Sequence, residues 1–235
     1  MRKSQDSQKT LELSAPGIEE FLKLNRDRCI NYLKQYFYDF QPRYKDRPKD
    51  CDGKKIPVGF TGAHFENYSA RADPTIFDGN NLAAVTCLSV NITGNMASSL
   101  MYLNIEFSPL IAKLPDIDVP IWKVSKDEFA KGRSLRLLHD KLLRIDGIGP
   151  VITSKLLASK RPHLVPIQDR DVSALFGKRA ADLWWSPWYD TMQSSKVREL
   201  LDNFAKEAGV NGPSLLRIAD IIFWMKAQEN KPKPC

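Results

Sequence analysis

The chain has 235 residues, 43% of them hydrophobic and 27% charged, and its 35 Lys and Arg against 28 Asp and Glu give a formal charge of +7. This apolar content excludes a disordered chain, and the length excludes a miniature scaffold held by staples while allowing one large domain or two lobes. A basic excess of this size points to a polyanionic partner.

The four cysteines, Cys29, Cys51, Cys87 and Cys235, are too scattered for a CxxC pair or a disulfide framework, a usage that fits reduced thiols in a cytoplasmic protein. The opening MRKSQDSQKT is followed by no apolar h-region, and the apolar run from Ile221 to Met225 is far shorter than the ~20 residues that span a bilayer. Segments 1–15 and 229–235 are expected to be a disordered N-terminus and a flexible tail around one bilobal helical domain over 16–228.

In chain order, Ile18, Phe21, Leu22, Cys29, Leu33 and Phe37 recur at close to 3.6 residues and predict one long amphipathic helix from Ile18 to about Tyr38. Residues 41–60 carry Pro42, Pro48, Gly53 and Pro57 among Arg43, Lys45, Arg47, Lys49, Lys54 and Lys55, the composition of a basic loop, either solvated or in contact with phosphate. Asp78 can cap a helix from Gly79 to about Ser89, and Ser125-Lys126-Asp127-Glu128 reads as a capping box opening another. Leu135, Leu138, Leu142 and Ile145 form a helical stripe; Val197, Leu201 and Phe204 form a second, and Leu215, Ile218, Ile222 and Met225 a third. Lys55 to Phe60 and Val119 to Trp122 carry weak strand character. The pattern is all-α, with no alternation of strands and helices.

The chemistry is concentrated in LLRIDGIGPVITSKLL, residues 142–157, where a helical stripe ends at Ile145, Gly147 and Gly149 flank Ile148, and Pro150 sits where a first helical residue belongs. A helix, hairpin and helix over about 134–159 follows. Ile148 plugs the gap between the helices, and the two glycines supply backbone shapes and close approach. Unpaired amides at the start of the second helix would then face a phosphate. A dinucleotide fingerprint is excluded because position 152 is Ile152 rather than a third glycine and no strand precedes it. Residues 131–179 hold eleven Lys and Arg against four Asp, 11 − 4 = +7, which concentrates the basic excess around the hairpin and favours duplex DNA.

The run LLRIDGIGPVITSKLLA followed by RPHLVPIQDRDV resembles the helix-hairpin-helix DNA glycosylase superfamily. That resemblance implies two helical lobes with DNA and a flipped base in a cleft between them. It also implies a catalytic turn over about 162–172, with the catalytic carboxylate at Asp169, 18 residues beyond Val151. The family pattern at the turn is commonly Asp-Thr-His-Val, whereas this chain has Asp169-Arg170-Asp171-Val172, so Asp171 is a second candidate. Members that also nick the strand carry Lys where this chain has Val151, and members with an iron–sulfur cluster carry four cysteines after the Asp, where only Cys235 stands here. The resemblance thus implies a monofunctional enzyme with no metal, cluster or other cofactor, and a monomer is expected. The segment GFTGAHFENYSARADP resembles a small bacterial branch, some of whose members look like phage-defence glycosylases acting on glucosylated hydroxymethylcytosine.

A carboxylate fixed at Asp169 would stabilise the oxocarbenium charge that develops on the sugar and would orient a water; it could equally cap the helix that begins at Val172. DNA contacts are expected from Gly147, Ile148, Gly149, Val151, Thr153 and Lys155, and a base pocket from His64, Glu66, Asn67, Tyr68 and Gln168. Tyr36, Phe37, Tyr38, Phe40 and Tyr44, or Trp184, Trp185 and Trp188, could stack on a flipped base or wedge into the gap it leaves, or could pack in the core. The expected function is excision of a modified base from double-stranded DNA, with glucosylated hydroxymethylcytosine as the candidate substrate. The alternative is a helix-hairpin-helix DNA-binding protein without catalysis.

Overall fold

The computed structural model describes residues 11–38, 51, 59–177 and 185–229. Most of the basic loop over 41–60 therefore lies outside the described residues, as do Phe40, Tyr44, Lys178, Arg179, Trp184 and the two chain ends at 1–10 and 230–235. Among the described residues the chain forms twelve α-helices and no strand. They are α1 (Ala15–Leu24), α2 (Arg26–Tyr38), α3 (Phe65–Ser69), α4 (Gly79–Cys87), α5 (Gly94–Tyr102), α6 (Asn104–Ile111), α7 (Ser134–Leu142), α8 (Pro150–Lys160), α9 (Arg170–Leu175), α10 (Trp185–Met192), α11 (Ser195–Ala208) and α12 (Leu215–Glu229). The protein is all-α. No helix among the described residues is long and apolar enough to cross a membrane.

Local chemistry sets most of the boundaries. Ser14 caps α1 by accepting from the Gly17 amide at 3.2 Å, and Asp78 and Asn81 cap α4 reciprocally. Gly209, at φ +73°, closes α11 in the left-handed conformation common at helix ends. The single long helix expected over 18–38 is two helices, because Asn25 leaves helical geometry and turns its side-chain amide back onto the Phe21 carbonyl at 2.9 Å. Apolar spacing carries across that break, so periodicity alone does not see it. Ser125 opens a single 3-10 turn, Lys126–Phe129, instead of a helix; α7 begins only at Ser134. Val119 to Trp122 is irregular chain running into another 3-10 turn.

The helices pack as two sets. One holds α1, α2 and α9 to α12, so the described residues begin and end in it; the other holds α3 to α8. Their apolar faces merge into one continuous core. Two helices are buried on nearly every side over eight consecutive residues: α8 from Thr153 to Lys160 and α12 from Leu216 to Phe223. A helix buried all round should be apolar all round. Both break that rule, α8 with Lys155 and Lys160, α12 with Arg217 and Asp220.

The hairpin between α7 and α8 takes the expected form at Gly147, whose φ of +81° is a conformation that side-chain-bearing residues rarely adopt. Ile148 is buried, as a plug between the two helices should be. Gly149 differs: it is extended, at φ −93° and ψ −178°, and a Cβ there would meet open space. Only one of the two glycines is demanded by the backbone.

Candidate functional site

A cavity of about 440 Å³ opens where the two sets of helices meet, within the range that holds a small molecule. Its walls come from the first turns of α8 (Val151, Lys155), the approach to α9 (Ile167, Asp169) and α12 (Arg217, Asp220, Trp224). Tyr36 and Phe60 close one side, with rings stacked at 5.4 Å, and the segment from Cys87 to Val90 closes another. Ser89 in that segment has φ +59°, a left-handed conformation costly for serine; such strain is kept where the surroundings over-determine it, often at functional sites.

The turn that carries Asp169 is stapled from both ends. The Ser214 hydroxyl donates to the Pro162 carbonyl at 2.6 Å, and the Gln168 amide donates to Ser154 Oγ of α8 at 2.9 Å. Asp169 itself is the N-cap of α9, its Oδ1 accepting from the amides of Asp171 at 2.8 Å and Val172 at 3.3 Å. Capping and a place in the cavity coexist in one side chain. Among the described residues no hydrogen bond reaches its other oxygen. Asp171 also lines the cavity, and its Oδ2 accepts from Gln228 at 3.2 Å.

Beneath them lies a charged network centred on Arg217. Its Nε donates to Glu66 Oε1 at 3.1 Å, Nη2 to Tyr36 Oη at 2.6 Å and to the Gly62 carbonyl at 3.0 Å, and Nη1 to Asp220 Oδ2. Tyr36 and Phe65 place their ring faces 5.3 and 5.5 Å from the guanidinium. Gly62 must be glycine here, since a Cβ would fall 1.9 Å from the Tyr36 hydroxyl. Burial opposes the Arg217 charge, yet Tyr36, Glu66 and Asp220 together hold the guanidinium above its usual value. Burial likewise raises the carboxyl of Glu66, with Arg217 pulling the other way. Burial pushes Asp220 up to about 6, with Arg217 opposing and the neighbouring Asp169 adding to the rise.

Lys155 requires a correction. The reading as an outward phosphate contact fails because the side chain is buried, and its Nζ donates to the Leu88 carbonyl at 2.9 Å inside the cavity. Burial lowers its ammonium below the usual lysine value, offset in part by Asp169 and Asp220. Thr153, also expected at DNA, is fully buried with no partner for its hydroxyl among the described residues. Ile148 is buried as well. Of the hairpin set, Gly147, Gly149 and Val151 retain exposed or half-exposed positions. The basic excess around the hairpin shrinks in the same way: Lys155, Lys160 and Arg161 are interior, with Lys160 donating to the Asp73 carbonyl and Arg161 to the Pro115 and Ile111 carbonyls. Arg133, Arg144 and Arg170 remain exposed.

The expected base pocket is not assembled. None of His64, Glu66, Asn67, Tyr68 or Gln168 lines the cavity that holds Asp169. His64, Asn67 and Tyr68 are exposed, Glu66 supports Arg217 from behind, and Gln168 is buried with its side-chain oxygen unpartnered among the described residues. The aromatic candidates also sort differently: Trp185 and Trp188 are core residues, and Tyr38 donates its hydroxyl to the Gly209 carbonyl. Tyr36 reaches the cavity, joined by Phe60 and Trp224.

Arg217 and Asp220 were missed by sequence reasoning, although a signal for them exists. In LLRIADIIFWM two opposite charges stand three residues apart within an otherwise apolar stretch. A helix that buries its whole girth leaves such a pair no route to solvent and makes it a mark of the interior.

Residues 30–227 match a family model described as a family of unknown function (DUF6308). Among curated proteins and among solved structures nothing matches the chain.

Proposed function

The chain belongs to that family of unknown function, and for it we propose the activity of a monofunctional DNA N-glycosylase: a modified base is flipped from duplex DNA into the Asp169 cavity and excised by water, leaving an abasic site. The observation that carries this reading is a cavity large enough for a base with Asp169, fixed by two backbone amides, in its wall. Asp169, Asp171 and Asp220 line it and Glu66 stands behind it, against the three cations Lys155, Arg170 and Arg217. Four carboxylates and three cations leave −4 + 3 = −1 when all are ionised. An ionised Asp169 in that wall stabilises positive charge developing on a sugar, which is what breaking an N-glycosidic bond requires.

The surroundings fit a flipped base. Tyr36, Phe60 and Trp224 offer aromatic faces, while the exposed Arg144 and Gly147 and the half-exposed Gly149 lie between the end of α7 and the start of α8 for the phosphates. His64, Glu66, Asn67, Tyr68 and Gln168, expected as a base pocket, stay outside the cavity, so the substrate class is proposed as a modified base in duplex DNA, with glucosylated hydroxymethylcytosine as one member to test.

The test is mass spectrometry of bases released from duplexes carrying uracil, hypoxanthine, alkylated or oxidised bases, and from glucosylated phage DNA. Wild-type protein is expected to release one class and leave the strand intact, and Asp169→Asn to fold and bind DNA normally while releasing base at least about a hundredfold more slowly. Release of no base from any of these DNAs would refute the proposal. Borohydride trapping of a protein–DNA adduct would refute the hydrolytic, monofunctional part of it.

A further inference from the structure

Two carboxylates of the cavity stand in opposite environments. Asp169 is tied through one oxygen to two backbone amides at the start of α9. Asp220 comes from the middle of α12, with only 7% of its surface exposed, and one oxygen, Oδ2, takes the Arg217 guanidinium. Among the described residues no hydrogen bond reaches its Oδ1. The groups acting on it come from every side: Arg217 from its own helix, Lys155 from α8 and Asp169 from the turn before α9. Behind these, Tyr36 of α2 and Glu66 of α3 compete for the same Arg217, and Arg170 and Asp171 of α9 share the cavity.

Charge balance calls for a proton here. With Arg170 counted, all seven groups ionised give the site −4 + 3 = −1, around an Arg217 and Asp220 whose burial penalises charge. One proton brings it to zero, and the most buried carboxylate of the cavity wall is where it costs least. Pairs of acids whose surroundings separate them into a protonated and an ionised member are the usual basis for dividing acid and base roles.

Resting on the glycosylase reading above, we infer that Asp220 is the catalytic acid of this site: it donates its proton to the departing base while Asp169 acts on the sugar and the water. The C1′–N bond breaks with its electron pair moving onto the base, and the Asp220 proton neutralises that base as it leaves. Asp169, ionised, stabilises the cationic sugar and accepts a proton from the attacking water, whose oxygen forms the new C1′–O bond. Asp220 then carries the negative charge and Asp169 the proton. Return of that proton to Asp220, directly or through solvent, restores the starting state, and the sum is one water consumed and one base released. Lys155 holds the charge of the pair in balance from α8 and takes no covalent part.

The experiment combines single-turnover base release between pH 4.5 and 9, on the DNA from which the wild-type protein releases base, with carboxyl NMR of protein labelled with carbon-13 at aspartate. Wild-type release should fall about tenfold per pH unit once Asp220 loses its proton, near pH 6. Asp220→Asn keeps an oxygen for Arg217 to bond and should bind DNA as tightly as wild type, release base at least about a hundredfold more slowly at pH 6, and show no such alkaline fall. One aspartate signal of the wild-type protein should titrate near 6 and be missing from the variant. A variant that retains the wild-type rate or its alkaline fall overturns the inference and leaves the glycosylase reading standing. If the variant does not fold, the wild-type titration decides: all aspartates titrating below about 5 overturns it, and one near 6 coinciding with the fall in rate supports it. Release of no base by the wild-type protein from any DNA removes the glycosylase reading and this inference together.

Discussion

Arg217→Ala should be among the most destabilising single changes in this protein. The guanidinium is buried and bonds two carboxylates, a phenol and a carbonyl. Removing one partner of a buried ion pair costs about 3–5 kcal/mol, because the remaining charge is left without compensation. The Tyr36 hydroxyl and the Gly62 carbonyl lose their partner as well, at about 1–3 kcal/mol for each group that water does not reach. Allowing for partial hydration of the gap, a loss of at least about 4 kcal/mol follows, or about 8–16 °C in Tm at 2–4 °C per kcal/mol for a chain of this size. The penalty should depend on pH with a definite sign. Without Arg217 the folded-state values of Glu66 and Asp220 rise further above their unfolded ones. A group raised in this way stabilises at low pH and loses that contribution as pH climbs through its folded value. The deficit relative to wild type should therefore be larger at pH 7.5 than at pH 5. Thermal and urea unfolding of both proteins at the two pH values measures it. A deficit under about 1 kcal/mol, or one that grows on acidification, would refute the account of the network.

The hairpin glycines should separate: Gly147→Ala costs about 1–2 kcal/mol for a left-handed side-chain-bearing residue, whereas Gly149→Ala is close to neutral because its backbone is extended and its Cβ meets nothing. Urea unfolding that shows equal costs would contradict this. In DNA binding, Arg144→Gln should flatten the dependence of affinity on salt by about one phosphate contact, while Lys155→Gln leaves the slope unchanged because its Nζ is turned onto the Leu88 carbonyl; fluorescence anisotropy across a salt series tells them apart. His139 is buried, and burial lowers its imidazole below the usual value, so its stabilising contribution is present above about pH 6.5 and is lost as pH falls through the folded value. His139→Gln should accordingly lose less Tm than wild type between pH 7 and pH 5, and an equal or greater loss would show that His139 is not held neutral by burial.

The helical class, the stripes of α7, α11 and α12, the caps at Asp78 and Asp169, and a glycine-bearing hairpin at 147–149 were legible in the order of residues. Each of these is local: a cap, a turn or a helical period is decided by residues within a few positions of one another, and its chemistry is visible in the order of residues. Contacts between distant segments are different. Only the tertiary structure brought Asp220 of α12 to Asp169 and Lys155 of α8, placed Tyr36 and Glu66 on the same guanidinium, and turned the polar run at 64–69 away from the cavity. It also withdrew Lys155, Lys160 and Arg161 from the basic surface that counting charges had assigned them. The reason is that α8 and α12 are enclosed on nearly all sides, so their polar residues face one another across the interior. A one-dimensional count of charge cannot distinguish a lysine in solvent from one whose ammonium is held by a carbonyl inside the protein.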